Sequence, residues 1–550
     1  MKTHRYLIFA LCLFFAGLHA QDRPAPNAHQ TRSEVLARHG IIATSQPLAS
    51  AAGLRVMMEG GNAIDAAVTA AAVLSVVEPM MTGPGGDVFA LVWSAKDQRL
   101  YGLNSSGPAG SKATLDYFRK KGLDEIPLEG LEPVSVPGAT EGWNQLLQRF
   151  GTLSLGQALR PAIDYAENGY PVSPVIAAEW KRGEDKLRRH PTSRATFLIN
   201  DRAPEVGEIF RNPNLAQTYR RLSENPDALY RGDLAKEIAG FIEKNGGLVT
   251  LQDLQNFHAE WVDPISTTYR GYQVFELPPN GQGIAALEML NILEGFDLSQ
   301  YRQNSGDYLH LLVEAKRLAF ADLYHLVADP AYAKVPVEQM LSKEYAAKQR
   351  ALIDPEKANP EVESGISWSG DTVYLTAADE EGNMVSFINS IFYQWGSGVV
   401  AGNTGVTLQN RGALFSLDPD HPNHLEPGKR PFHTIIPAMV LKEGTPWLSF
   451  GVMGGPMQPQ GHVQVLCNLI DFGMNLQQAG ESPRFYHNNG ELALEYGIGA
   501  DARLSLLDKG HRLVDVEGSF GGFQGILRDP ATGAYTAGSD PRKDGLAIGF

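Results

Sequence analysis

Cysteine is almost missing from this chain: among 550 residues it occurs twice, as Cys12 and Cys467. So few thiols exclude a disulfide-stapled scaffold and a thiolate zinc centre. Cys467 sits in the apolar helical run Val463 to Ile470, where a packing role is expected. Positive charge is also in deficit. Lys and Arg number 47 against 62 Asp and Glu, a formal net charge of −15, and no basic run is interleaved with aromatics. Nucleic-acid binding therefore has no electrostatic support. The one dense charged run, Lys181 to His190, mixes both signs and reads as a solvated helix face. Beyond the N-terminal segment no apolar stretch approaches the ~18 residues that a membrane-spanning helix needs. The G-x-S-x-G elbow, the G-x-x-x-x-G-K-[ST] loop and the H-E-x-x-H pair are all absent. Gly83-Pro84-Gly85-Gly86-Asp87 lacks dinucleotide spacing and carries a proline, so it reads as a close-approach turn. The fourteen histidines show no ligand pairing, and neither a metal nor a cofactor is expected. No repeat or low-complexity tract is present.

What is there is an ordinary globular composition, 43% hydrophobic and 20% charged, with ample core. Lys2, His4 and Arg5 precede an apolar run from Tyr6 to Leu18, and Leu18-His19-Ala20 leads into polar Gln21-Asp22-Arg23-Pro24. That is the layout of a secretory signal peptide over residues 1–20, followed by a linker over 21–38. The expected mature protein is soluble and exported, periplasmic or extracellular, with no membrane attachment once the signal is removed. A strand is expected at Gly40 to Thr44 and a helix from near Pro47, broken at Gly60-Gly61-Asn62. A nearly all-apolar helix from Ala63 to Val77, buried on most sides, then leads to a strand from Val88 to Trp93. Residues 140–350 read as mostly amphipathic helix, for example His310 to Asp322. From Thr372 onward the texture changes to short β runs, glycine-rich turns and one helix near Gly461 to Ile470. Helix and strand are mixed rather than alternating, which predicts α+β layers and not a doubly wound sheet.

One stretch carries chemistry. A polar, glycine-bearing approach, Glu363 to Asp371, delivers Thr372 to the start of a strand (Thr372-Val373-Tyr374), and a turn at Asp379 to Asn383 leads to a second strand ending at Asn389-Ser390. An enzyme that cuts itself before a threonine needs this layout. The freed α-amine, with a reference pKa of about 8, can take the hydroxyl proton of the same residue, so no separate histidine is required.

With its neighbours this stretch resembles the γ-glutamyltransferase (glutathione hydrolase) family. The matching runs are Ala51-Ala52-Gly53-Leu54 through Gly60-Gly61-Asn62 to Val68, Thr82 to Asp87, Leu277-Pro278-Pro279 with Gly281 and Gly283-Ile284, and Val313 to Asp322. After them come Asp371-Thr372 with Gly382-Asn383, Val400-Ala401-Gly402, Gly428 to Pro431, Gly454-Gly455 and Gly538 to Arg542. The resemblance implies an N-terminal-nucleophile hydrolase fold, a four-layer αββα sandwich. It also implies autoprocessing between Asp371 and Thr372 into a large chain, 39–371, and a small chain, 372–550, which stay associated as partners.

Residue by residue, it implies Thr372 as nucleophile, Ser390 as a hydroxyl beside it, and Gly454-Gly455 as the oxyanion-hole glycines. The amino-acid head pocket departs from the family. Asn104 stands where an arginine holds the α-carboxylate, Phe392, Arg411 and Leu414 stand where the α-ammonium is held, and His433-Thr434 replace two serines. Phe392 and Leu414 cannot pair with an ammonium and Arg411 repels it, whereas Arg411 and His433 suit a carboxylate. This pattern resembles the short-lid branch that includes cephalosporin acylase-like proteins. The expected function is cleavage of γ-glutamyl amides through an acyl-enzyme on Thr372, with transfer to water or an amine. The alternatives are an acylase for glutaryl-like amides on the same scaffold, and an unprocessed non-catalytic binding protein.

Overall fold

Helix Ala63–Val77 opens with a capping box: Asn62 accepts from the backbone N–H of Ile64 and Asp65, and Asp65 Oδ2 accepts from Asn62 N at 2.9 Å. Every residue of it is buried, because its alanine-rich surface lies flat on a sheet on one side and under other helices on the other. The computed structural model describes residues 30–360, 370, 372–516, 518 and 520–550. The expected signal peptide, residues 21–29 of the linker, residues 361–369 and Asp371 lie outside the described residues.

Two antiparallel seven-stranded sheets form the centre. In spatial order the first runs Leu546–Gly549, Gly40–Thr44, Val373–Asp379, Met384–Ser390, Asp87–Ser94, Arg99–Ser105 and Glu260–Val262. The second runs Val35–Ala37, Tyr535–Ser539, Gly522–Arg528, Thr445–Met453, Ala438–Lys442, Tyr272–Glu276 and Ile265–Tyr269. Strand alternation sorts the core. Val373, Leu375 and Ala377 pack with helices Pro47–Met58 and Ala63–Val77, while Tyr374 and Ala378 meet Met439, Met453 and Ile526 between the sheets. Helices Gly283–Leu293, Gly306–Leu326 and Met457–Ile470 cover the outer face of the second sheet. The result is the four-layer αββα sandwich expected from the sequence.

The expected strand at Gly40–Thr44 and the helices from Pro47 and Ala63 form with the predicted limits, and the strand at 88–93 runs from Asp87 to Ser94. Cys467 is fully buried. Among the described residues no helix is long and apolar enough to cross a membrane.

Candidate active site

Thr372 stands just ahead of strand Val373–Asp379 and is 2% exposed. That strand pairs with Met384–Ser390 in a register that sets Val373 opposite Asn389, and continuing it brings Ser390 across from Thr372. Thr372 Oγ1 donates to Ser390 Oγ at 3.4 Å, and Ser390 Oγ accepts from the Phe392 backbone N–H at 2.8 Å.

Strand Thr445–Met453 of the other sheet ends at the same place and turns through Gly454-Gly455-Pro456 into helix Met457–Ile470. The turn needs glycine, with φ of +116° at Gly454 and +57° at Gly455. Their carbonyls accept from Met457 N and Gln458 N, both at 3.1 Å, and Gln282 Nε2 donates to Gly455 O at 2.8 Å. The chain ahead of Thr372 crosses this turn: a Cβ built on Gly455 would lie 2.7 Å from the Gly370 nitrogen.

A cleft of about 380 Å³ opens here, lined among others by Thr372, Gly370, Gly454, Met453, Tyr393 and Tyr486. Arg182, Gly183 and Lys186 also line it. The run read as a solvated helix face is thus partly a cleft wall. It is held there by close packing, since a Cβ on Gly183 would fall 2.0 Å from Trp395 Nε1. Lys186 Nζ donates to the carbonyls of Gln394 at 2.9 Å and Gly396 at 2.6 Å.

Next to the cleft lies a buried charge cluster. Arg411 is fully buried and stacks over the Phe392 ring at 4.6 Å. Its Nη1 donates to Thr434 Oγ1 at 2.7 Å, whereas Nε and Nη2 have no hydrogen-bond partner among the described residues. The Phe392 ring also faces Gly370, 3.5 Å from where its Cβ would be. His433 Nε2 donates to Asp87 Oδ2 at 3.0 Å, both residues fully buried. Burial pushes Asp87 up to about 7 against the opposing pull of Arg411. Burial also pushes Arg411 down to about 9, with Asp87 opposing, so it stays cationic at neutral pH. His433 is held neutral by burial and then by Arg411.

The remaining expected site residues divide. Leu414 is buried in the same helix-covered core cluster as Phe392. Asn104 is engaged elsewhere: its Nδ2 donates to Asn280 Oδ1 at 2.9 Å and its Oδ1 accepts from Ser106 N and Oγ. Asp87, Gln282 and Gln409 were not singled out from the sequence. Gln282 lies within the Leu277 to Ile284 run, and Asp87 ends a turn whose glycines permit contact too close for a side chain. A Cβ on Gly85 would be 2.1 Å from Thr407 O. One group with metal-ligand chemistry, His310, Glu314 and His511, lies buried outside the cleft. There His310 Nδ1 and His511 Nε2 lie 2.8 Å apart and Arg317 sits 3.1 Å from Glu314, while Glu314 Oε1 and His511 Nδ1 have no hydrogen-bond partner among the described residues.

The family model described as Gamma-glutamyltranspeptidase matches residues 49–550. The chain is 40% identical to the "Glutathione hydrolase-like YwrD proenzyme" of Bacillus subtilis (strain 168), over 94% of this chain and 99% of that protein. It is 36% identical to the "Acylase ACY 1 proenzyme" of Pseudomonas sp. (strain SE83), over 92% and 93% of the two. Among solved structures, the cephalosporin acylase from Bacillus halodurans superposes with a TM-score of 0.90 at 45% identity, over 97% of this chain and 99% of that one.

Proposed function

The chain belongs to the gamma-glutamyltranspeptidase family, a family of amide-hydrolysing and acyl-transferring enzymes, and from that premise we propose that it is a self-cleaving threonine amidohydrolase and acyltransferase. In the precursor the Thr372 hydroxyl attacks the carbonyl of Asp371. The amide becomes an ester, and water hydrolyses the ester to free the Thr372 α-amine. The proenzyme names of the relatives support this step, as does the placement of Gly370 across Gly455.

In the two-chain enzyme, 39–371 with 372–550, that amine takes the Thr372 proton as Oγ1 attacks the substrate amide. Ser390 holds the hydroxyl oriented at 3.4 Å. The Gly454-Gly455 turn at the head of helix Met457–Ile470 receives the oxyanion, where bare backbone can approach closely and the helix N-terminus favours negative charge. The amine leaves, and water or a second amine takes the acyl group from Thr372. The N-terminal segment supports export to the periplasm or medium.

The observation that carries the substrate reading is Arg411: fully buried, cationic, and with two guanidinium nitrogens unused. A planar fork with free N–H groups suits a carboxylate. Phe392, stacked on it, and Leu414 offer no partner to an α-ammonium. The acyl group is therefore one ending in a carboxylate without an α-amine, such as glutaryl. Cleavage of γ-glutamyl amides is the second reading, favoured by the glutathione hydrolase-like relative. Turnover of glutaryl and γ-L-glutamyl 4-nitroanilides by the purified two-chain enzyme tests the choice. The proposal requires the glutaryl compound to be turned over at least as well.

A further inference from the structure

Before any substrate enters, the buried cluster around Arg411 holds one positive and one negative group. Asp87 Oδ1 accepts from Gly107 N at 3.0 Å and Gln409 Nε2 at 2.9 Å, and Oδ2 accepts from His433 Nε2 at 3.0 Å. His433 Nδ1 accepts from Ile435 N at 3.3 Å, which leaves the single imidazole proton on Nε2, aimed at Asp87. Tyr230 also feels the Asp87 charge, and its hydroxyl donates to Pro137 O at 3.0 Å. An aspartate, a guanidinium and a neutral imidazole sum to zero charge.

A substrate carboxylate set against Arg411 would leave one negative charge uncompensated out of water, which opposes binding. One proton removes that charge. His433 is a poor recipient, because a proton on Nδ1 would face the Ile435 N–H donor. Asp87 Oδ1 already accepts two donors, whereas Oδ2 accepts one, from His433, and keeps a second lone pair for a proton.

We infer that Asp87 takes up one proton whenever an acyl donor with a terminal carboxylate binds, and so acts as the positioning residue that frees Arg411 for the substrate anion. This rests on the reading of Arg411 as the carboxylate anchor. The proton comes from solvent, sits on an Asp87 carboxyl oxygen while the acyl group is bound, and returns to solvent when the acid product leaves. No covalent bond of the substrate is involved. Burial already raises Asp87 to about 7, so a second anion has little further to push. The sign follows. Above that pH the free enzyme carries ionised Asp87 and must acquire a proton to bind, so KM for a glutaryl amide rises about tenfold per pH unit. Below it, Asp87 is already protonated and KM is flat. A neutral acyl donor, such as an acetyl amide, shares the Thr372 amine but not this dependence.

The test is calorimetric titration of free glutarate into the two-chain enzyme near pH ~8, in buffers of different ionisation enthalpy, which counts protons directly. Uptake near one proton per glutarate is expected. Asp87→Asn removes the titrating carboxyl, and should bind glutarate with uptake near zero and give a KM that is flat across the alkaline range. Glutarate binding without proton uptake in the wild-type enzyme overturns the inference and leaves the Arg411 anchor standing. Failure of glutarate to bind at all overturns the anchor and the inference with it. Should Asp87→Asn not fold, the wild-type titration decides alone.

Discussion

The Tyr374 ring lies directly over Gly451: a Cβ built on Gly451 would sit 2.4 Å from the ring. Tyr374 belongs to the strand that Thr372 leads into, and Gly451 to the strand that ends at Gly454. The two central strands of the two sheets therefore touch at the point that sets the distance between hydroxyl and glycine turn. The Tyr374 hydroxyl is fixed in turn by Ser386 Oγ at 2.7 Å.

Gly451→Ala should accordingly act on both stability and chemistry. Overpacking of this kind costs about 1–3 kcal/mol, and relief by sheet separation would draw Thr372 away from Gly454. Lower thermal stability together with slower self-cleavage is expected, measured by differential scanning fluorimetry and a time course on denaturing gels. Wild-type values for both would show that the close approach carries no weight.

Thr372→Ala should give a single full-length chain. The hydroxyl that attacks the preceding carbonyl is gone, and neither Ser390 nor the glycine turn supplies another nucleophile at that bond. Mass spectrometry of the purified variant reads the outcome, and two chains joined at 371–372 would refute the assignment. Thr372→Ser keeps an attacking hydroxyl and should still process.

For a neutral acyl donor, kcat/KM should rise with pH through the ionisation of the Thr372 α-amine, whose reference pKa is about 8. The amine serves as base only when neutral, so activity is lost as pH falls through its pKa. Blocking that amine after maturation should abolish turnover. Full activity in the blocked enzyme would mean that another group is the base.

Much of this arrangement was legible in the sequence because local signals agreed with one another. The Asn62 cap and the unbroken apolar run after it specify helix Ala63–Val77, and the short β run that Thr372 opens specifies the central strand. Asp87 was not legible as part of a pocket. Its partners come from residues 107, 409 and 433, and only the fold brings them to one carboxylate. The Lys181 to His190 run misled for the same reason. Its mixed charge describes a solvated face correctly for Lys181 and Asp185, while Arg182 lines the cleft and Gly183 and Lys186 are pulled against the loop at Gln394–Gly396 by contacts that no local pattern announces. Arg411 was visible as a residue type, but its burial and unused nitrogens were not.

Those unused nitrogens make the last prediction. Arg411→Ala removes a charge-assisted contact to the acyl carboxylate, an interaction worth about 1.5–3 kcal/mol, or roughly 10–150-fold in kcat/KM. The contact is made equally in the ground and transition states, because the carboxylate lies away from the reacting carbonyl. The loss should therefore appear in KM, with kcat nearly unchanged. Arg411→Lys should recover only part of it, since a point charge cannot reproduce the fork that Thr434 already holds on one side. An acetyl amide, with no carboxylate to lose, should be almost indifferent to either change. Steady-state kinetics on the glutaryl and acetyl compounds separate the cases. An equal loss on both substrates would make Arg411 a packing residue, and a loss confined to kcat would place it at the reacting atoms instead.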